Sequence, residues 1–244
     1  MNKRICQSLT ILLLVLLVFS RPLVTNAEGE KTPAPESVVL AHDSITWEPA
    51  EYKSNLKFRI YFKDKWSGES YKLIATCKGY DPEHGSAGKA IFKIRDASDE
   101  KDPQITKEKK DGYTYYSIPV ISGHKYKAAV KVYDEEYGLW SDITTSERYF
   151  LSIPDASIEQ TEKGLSISWN PVPGATKYRV IRYYLSSKTS DDEEKVIIIP
   201  GNDQTRFDDE DVIDKDVYMY EVQAGRGNWF SAFRYSMVRV AFPE

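Results

Sequence analysis

Short segments in which apolar and polar residues alternate run through the chain from Ser37 onward. Tyr, Val and Ile fill the apolar positions, and Gly, Pro, Asn and Asp separate one segment from the next. A period of two is typical of a β-strand with one buried face, and no long stretch has the 3.6-residue period of a helix. The pattern predicts an all-β chain of the sandwich type.

The order of these segments repeats once along the chain. "SITWEPAEYKSNLKFRIYFK" begins at Ser44 and "SISWNPVPGATKYRVIRYY" begins at Ser166, and both read as a strand, a Pro-containing turn and a second strand. Further on, "HKYKAAVKVYDEEYGLWSD" (from His124) parallels "DVYMYEVQAGRGNWFSAF" (from Asp216). Two copies of one order of elements indicate two copies of one domain.

These repeated segments resemble fibronectin type III domains, and the second copy, with "WNPVPGATKYRV", is the closer match. The resemblance implies two immunoglobulin-like β-sandwiches in tandem, at 37–152 and 153–244, each of which folds without a disulfide. It also implies that the repeated Trp is core and that a later Tyr bonds to nearby backbone through its hydroxyl. The structural core residues expected on this basis are Trp47, Tyr126, Trp169, Tyr178 and Tyr218.

The first copy contains an insert at 79–112. Trp47 and Tyr126 are 79 residues apart, against 49 for Trp169 and Tyr218. Within the insert, "KAIFKIRD" alternates as a strand does, whereas "DPEHGSAG" and "DASDEKDPQITKEKKDG" read as solvated loops. Long loops in compact domains are either functional or disordered, and the sequence leaves both open. The two copies are joined by a short segment stiffened by Pro154, which predicts a fixed elbow between them.

The first 27 residues have the layout of a secretory signal peptide. Lys3 and Arg4 precede an apolar run, and small residues follow up to Ala27. The run is shorter than the roughly 20 apolar residues that span a bilayer. We expect a secreted, extracellular protein cleaved after Ala27, with an uncleaved anchor as the alternative. Residues 28–36, "EGEKTPAPE", read as a flexible leader.

Charge and cysteine content narrow the classes of partner. The net charge is −4, and it becomes more negative when the basic residues of the signal segment are removed. A nucleic-acid partner and charge-driven binding to anionic membranes are therefore disfavoured. Membrane insertion after signal cleavage is not expected either, because no second hydrophobic segment follows the signal. Cys6 leaves with the signal, so Cys77 stands alone. In "YKLIATC" we expect Tyr71, Leu73, Ala75 and Cys77 to share one face, with Cys77 as a small buried residue; an intermolecular disulfide or a reactive thiol is the alternative.

The chain lacks the motifs of a catalytic site. The three histidines, His42, His84 and His124, show no metal-ligand spacing, and serine-nucleophile and phosphate-loop motifs are missing. The acidic clusters at 190–195 and 208–216 are expected to be solvated rather than to bind Ca²⁺. We therefore expect no enzyme, no cofactor and no metal.

Aromatic residues at predicted loops are the remaining signal, because aromatic and Arg side chains are the usual anchors of interfaces. In this fold the second domain presents its "PVPGA" and "GRGNWFSAF" loops to the elbow. The binding residues predicted on this basis, with two from the corresponding loop of the first domain, are Trp229, Phe230, Phe233, Arg226, Pro173, Tyr137 and Trp140. Trp229 and Phe230 either join the domains or form an exposed patch that captures a partner, and Trp140 is expected to pack on its own sheet.

Three functions remain open. The first is a non-catalytic protein that makes contacts with an extracellular protein or acts as a rigid spacer. The second is a ligand binder that uses the elbow, since "YGLWSDITTSERYF" is similar to the first domain of cytokine-receptor ectodomains, although the paired cysteines of that family are missing. The third is a glycan binder that uses Trp66, Tyr71 and Tyr80.

Overall fold

The computed structural model describes residues 31–185, 193–213 and 216–240. The predicted signal peptide (1–27), the first residues of the leader (28–30) and parts of both acidic clusters (190–192 and 214–215) lie outside these ranges. Among the described residues there is no helix long and apolar enough to cross a membrane.

The described residues form seventeen strands and two hydrophobic cores, which confirms the predicted all-β fold class. Nine strands surround the first core: β1 (Ser37–Leu40), β2 (Ile45–Glu48), β3 (Lys57–Asp64), β4 (Lys72–Lys78), β5 (Ala90–Asp96), β6 (Thr106–Lys110), β7 (Tyr113–Val120), β8 (Lys125–Tyr133) and β9 (Thr144–Tyr149). Eight surround the second: β10 (Ala156–Gln160), β11 (Leu165–Trp169), β12 (Lys177–Tyr184), β13 (Glu193–Pro200), β14 (Arg206–Asp209), β15 (Val217–Arg226), β16 (Trp229–Phe230) and β17 (Tyr235–Arg239).

The second domain is a sandwich of two antiparallel sheets. One sheet has the order β10-β11-β14, and the other has the order β13-β12-β15, with β16 and β17 both paired to β15. Inward-facing residues of both sheets form the core, and the chain passes from one sheet to the other after β11, β13 and β14. This is the immunoglobulin-like arrangement that the repeated pattern predicted.

The first domain has the same second sheet, β4-β3-β8-β9, but its first sheet is wider. Strand β5, which is the strand predicted at "KAIFKIRD", lies parallel to β7 and meets β2 through the Ser44–Lys93 bridge. It therefore separates the two strands whose equivalents, β11 and β14, are direct neighbours in the second domain. The insert thus widens the sandwich by a strand.

The flanks of β5 are not the solvated loops that the sequence predicted. Residues 106–110 form strand β6, which pairs with β7 across a tight turn in which Asp111 and Gly112 have φ of 51° and 80°. In the other flank Ser86 and Ala87 are buried, and the Gly85 carbonyl accepts the Trp47 N–H at 2.8 Å. The strand was not predicted because its residues are nearly all charged and do not alternate with apolar ones. All of its side chains face solvent.

The leader is also ordered from residue 31, contrary to the expectation that it has nothing to bury. Thr32 is buried, its hydroxyl donates to the Leu139 carbonyl at 2.6 Å, and it accepts the Asp134 N–H at 3.1 Å. The Thr144 hydroxyl donates to the Pro35 carbonyl at 2.6 Å. These bonds hold the leader against the β8–β9 loop, whose backbone groups it satisfies.

The register of β4 differs from the simple alternation that the sequence suggested. An irregularity between Ile60 and Tyr61 of β3 shifts the pairing, so that Ala75 faces the core and Leu73 is 52% exposed. Leu73 therefore does not share the face of Ala75 and Cys77, because a bulge reverses the alternation. Cys77 is a free, half-buried thiol, and burial raises its pKa, which lowers its reactivity.

The five residues expected in the two cores are all buried. Trp47 packs on Phe58 and Trp169 packs on Tyr178. Each of the three tyrosines accepts a backbone N–H through its hydroxyl oxygen: Tyr126 from Ile121 at 2.9 Å, Tyr178 from Val172 at 2.8 Å and Tyr218 from Ile213 at 3.0 Å.

The second core also contains an ion pair that the alternating pattern did not reveal. Arg182 and Asp209 are both buried; Nη1 of the guanidinium lies 3.1 and 3.0 Å from the two carboxylate oxygens. The Tyr220 hydroxyl donates to the same carboxylate at 2.8 Å. Burial, together with this carboxylate, raises the pKa of Tyr220, so its proton stays in place as a donor.

We expect Asp209→Asn to lower the free energy of unfolding of the second domain by about 3 kcal/mol, because it leaves the Arg182 charge buried without a partner. Chemical denaturation followed by tyrosine and tryptophan fluorescence measures the change. The matched control is Asp208→Asn, which removes an exposed pair with Arg206 and should cost under about 1 kcal/mol. Equal losses for the two variants would contradict this role of Asp209.

Candidate functional site

The two domains meet at an elbow made of four segments. They are the turn at 121–124 of the first domain, the link at 150–155, and the turns at 171–176 and 226–229 of the second domain. Two of these turns approach each other at Gly123 and Gly174, both of which have positive φ (86° and 79°). A Cβ built on Gly174 would lie 2.2 Å from the Gly123 Cα, so only glycine allows the two turns to touch.

A hydrogen-bonded row of serines joins the insert to both domains. The Ser122 hydroxyl donates to the Pro173 carbonyl at 3.0 Å and accepts the Ser152 N–H at 2.9 Å. The Ser122 N–H donates to the Ser98 hydroxyl oxygen at 2.8 Å, and that hydroxyl donates to the Asp96 carboxylate at 2.6 Å. Asp96, the last residue of strand β5, therefore lies at the elbow.

Arg226 extends from the second domain over the first. Its guanidinium carbon lies 4.3 Å from the ring centroid of Tyr149 and 5.4 Å from that of Trp66. Nη1 lies 3.4 Å from the carbonyl oxygens of Gly123 and Gly174. A cation over two aromatic rings that also donates to backbone oxygens is a fixed contact rather than a free surface charge.

Trp229 and Phe230 are half-buried, and each takes part in the contact between the domains. The Trp229 ring packs edge-on against Tyr149 with centroids 5.7 Å apart. The Phe230 carbonyl accepts a hydrogen bond from Nη2 of Arg148 at 2.9 Å, and burial lowers the pKa of that guanidinium. Of the two roles that the sequence left open, the contacts favour joining the domains.

A cavity of about 290 Å³ lies beside these contacts. Apolar side chains from both domains and the link line most of it: Ile94, Val120, Phe150, Leu151, Ile153 and Ala232. Its polar lining includes His42, Asp43 and Asp96. An apolar pocket with a few convergent polar groups is the usual form of a binding site.

Asp96 stays ionised at this cavity. Partial burial would by itself raise the pKa of its carboxyl group, but hydrogen bonds from Ser152 and Ser98 and from the backbone N–H groups of Ser98 and Ala97 outweigh it. The net effect is a pKa below the ordinary value, and the carboxylate is negative at neutral pH.

Of the other predicted binding residues, all but Pro173 lie apart from the elbow contacts. Phe233 is partly exposed and packs edge-on against Tyr235 at 4.8 Å. Trp140 lies on the outer face of its own sheet, with the Arg59 guanidinium 4.3 Å and the Lys131 ammonium 5.3 Å from its ring centroid. Tyr137 lies under the Lys53 ammonium in the β8–β9 loop. Pro173 is at the elbow, as described above.

The three residues considered for glycan binding do not form one surface. Trp66 follows β3, is 54% exposed and stacks on His124 at 5.2 Å. Tyr80 lies beyond the opposite end of β4, where its hydroxyl donates to the Trp47 carbonyl at 3.2 Å. Tyr71 lies at the start of β4 and packs edge-on against Tyr61. The length of β4 separates Trp66 from Tyr80.

Each histidine pairs with a nearby aspartate: His42 with Asp43, His84 with Asp81, and His124 with Asp64. Asp81, Glu83 and His84 also bring possible metal-ligand atoms within 4.8 Å of one another, a grouping that the sequence spacing did not suggest. The Asp81 carboxylate there already accepts the Glu83 N–H at 3.0 Å and contacts His84 Nδ1 at 2.8 Å, which is the bonding of a polar turn.

Residues that sequence reasoning missed include Ser122, Asp96, Arg148 and Gly123. None of them belongs to a motif, since each acts through a contact between segments far apart in the chain. The one available signal was the glycine in each of two predicted turns, "SGHKY" in the first copy and "PGATKY" in the second, which are not equivalent positions of the repeat.

No protein-family model matches this chain, and no curated protein matches its sequence. Among solved structures, a two-domain fibronectin type III segment from chicken tenascin is similar at 15% identity, with 85% of this chain and 99% of that chain covered and a TM-score of 0.36. The FN1–FN3 domains of chicken CNTN1 are similar at 16% identity, with 87% and 69% covered and a TM-score of 0.36. The chicken interferon gamma receptor alpha chain is similar at 11% identity, with 86% and 99% covered and a TM-score of 0.32. At these scores the likeness carries no functional argument.

We expect Gly174→Ala to open the elbow, because its Cβ and the Gly123 backbone would occupy the same space. Small-angle X-ray scattering should show a broader distribution of interatomic distances. Gly201→Ala is the matched control: Gly201 has φ of 88° and nothing within 4 Å of an added Cβ. Both variants carry the cost of roughly 1–2 kcal/mol for a left-handed alanine, but only the first disturbs the domain contact. Scattering curves that are the same for both variants would contradict this reading.

Proposed function

We propose that this chain is an exported, non-catalytic protein that acts by binding another protein at the elbow. The observation that carries the proposal is the shared cavity, whose lining comes from both domains and from the link. A site divided between two domains can hold a partner only if the domains keep a fixed relation. The Gly123–Gly174 contact, the Ser122 hydrogen bonds and Arg226 supply that relation.

The chemistry of the cavity suggests what it accepts. Its apolar lining fits a single apolar side chain of moderate size, and the carboxylates of Asp43 and Asp96 favour a basic group beside that side chain. The net negative charge of the chain also favours a basic partner surface. The proposed ligand is therefore a protein segment with adjacent apolar and basic residues. Trp229 and Phe230 do not line the cavity, and their role in the proposal is to join the two domains.

Export is part of the same proposal and is supported by the signal-like pattern of residues 1–27. The non-catalytic part of the proposal is supported by the sequence, in which serine-nucleophile and phosphate-loop motifs are missing.

The test is capture from the native extracellular fluid by the immobilised protein, with quantitative mass spectrometry of what is retained. Ala232→Trp fills the cavity from the second domain and should abolish retention of the specific partner. Ile143→Trp is the control, since Ile143 is 50% exposed in the first domain and does not line the cavity. A partner retained equally by both variants would contradict elbow binding, and no retained protein at all would favour a rigid spacer.

A further inference from the structure

Strand β13 forms an uncovered edge of the larger sheet of the second domain. Within the described residues only β12 pairs with it, and its other side faces outward. On the outer face of the sheet, Val196 and Ile198 are 51% and 50% exposed. The strand, "EEKVIIIP", has its charged residues at 193–195, and the four residues that follow, 196–199, are all apolar. An apolar edge of this kind is a template for pairing with another strand.

The backbone groups on the outer side of β13 can be identified from the register. Pro200 of β13 lies opposite Lys177 of β12, and Gly201 is the next residue. The Gly201 N–H points toward β12, because it donates to the Thr176 carbonyl at 3.0 Å. Backbone groups alternate in direction along a strand, so the odd-numbered residues of β13 face β12. The free donors and acceptors therefore belong to Glu194, Val196 and Ile198, with a carbonyl but no N–H at Pro200.

Two other sheet edges of the chain carry features that prevent such pairing. Edge strand β4 has the irregular register opposite Ile60 and Tyr61, and lysines at both ends. Edge strand β6 has three lysines in five residues, all exposed. Bulges and edge lysines are the usual protection against strand addition. The one lysine of β13, Lys195, bonds instead to Asp211 at 3.1 Å, and the apolar residues 196–199 have no lysine among them.

We propose that β13 pairs antiparallel with β13 of a second copy of this chain, about a two-fold axis through Ile197. Val196 then lies opposite Ile198 of the second copy, and Ile198 opposite its Val196. In both positions the outward N–H and carbonyl groups meet as hydrogen-bonded pairs. Glu194 meets Pro200, whose carbonyl accepts one bond and whose missing N–H ends the ladder.

Neighbouring registers fit less well. An axis through Ile198 places Pro200 opposite Val196, so that one Val196 carbonyl has no donor. An axis through Val196 places the Glu194 side chain opposite Ile198. Only the axis through Ile197 gathers the four exposed aliphatic side chains, two from each copy, into one cluster beside the buried Ile181. Apolar cross-strand pairs of this kind stabilise a sheet.

The dimer should be weak. A contact along one short strand is small beside the roughly 1,200–2,000 Å² of a stable interface, so association should appear only at high protein concentration. Glu193 and Glu194 are at one end of the strand, so antiparallel pairing puts these acidic residues of the two copies at opposite ends of the ladder, which limits Coulomb repulsion between the copies. The inference does not depend on the elbow proposal, because β13 contributes no residue to the elbow cavity.

Paired cysteine variants test the register directly. In a background of the full chain with Cys77→Ala, Val196→Cys and Ile198→Cys are made separately. Opposite residues in hydrogen-bonded pairs have Cα atoms about 5.5 Å apart, within reach of a disulfide. In a dimer of one variant with itself, the two cysteines are offset by two residues along the paired strands. Their Cα atoms then lie farther apart than the roughly 7 Å that a disulfide can bridge.

We expect a disulfide dimer when the two variants are mixed under mild oxidation, and at least a tenfold lower yield from either variant alone. Equal yields from all three samples would mean random collision and would overturn the proposal, as would no dimer in the mixture. Sedimentation velocity on the uncross-linked chain gives an independent readout. Ile198→Lys should abolish concentration-dependent association, whereas Ile143→Lys, at an equally exposed residue, should retain it. A native chain that stays monomeric at all concentrations would also overturn the proposal.

Discussion

The contact between Gly123 and Gly174 is the constraint on which the arrangement of the two domains depends. Both residues have positive φ; a Cβ on Gly174 would lie 2.2 Å from the Gly123 Cα, and a Cβ on Gly123 would be tight at 3.1 Å from the Gly174 Cα, so the two turns touch through backbone. This approach brings the Ser122 hydroxyl to the Pro173 carbonyl and places Arg226 over Tyr149. The shared cavity exists because these contacts hold its two walls at a fixed separation.

The insert of the first domain is connected to the same contact between Gly123 and Gly174. Strand β5 enters the first sheet between β2 and β7, and its last residue, Asp96, accepts the hydroxyl of Ser98, which in turn accepts the Ser122 N–H. The added strand thus links the core of the first domain to the turn that touches the second domain. The second domain lacks such a strand, and its β11 and β14 pair directly.

Much of the fold could be predicted from the sequence, because alternation and the repeated Trp and Tyr positions are local signals. Strand β5 was visible for this reason, since Ala90, Phe92 and Ile94 alternate with charged residues. Strand β6 was not, because all five of its side chains are exposed and a charged strand reads as a loop. The sequence pattern predicted Leu73 on the wrong face of β4, because the composition of a strand does not reveal a bulge. The elbow could be predicted only in part: the loops that carry Pro173 and Arg226 follow from the resemblance, whereas Ser122 and Arg148 act through contacts that no local pattern encodes.

The central claim is that the two domains behave as one rigid body, and residual dipolar couplings of backbone amides in a single alignment medium test it most directly. Couplings from the first and second domains should fit one common alignment tensor when the relative orientation in this structure is used. Two tensors of clearly different magnitude would show independent motion of the domains and would contradict the account.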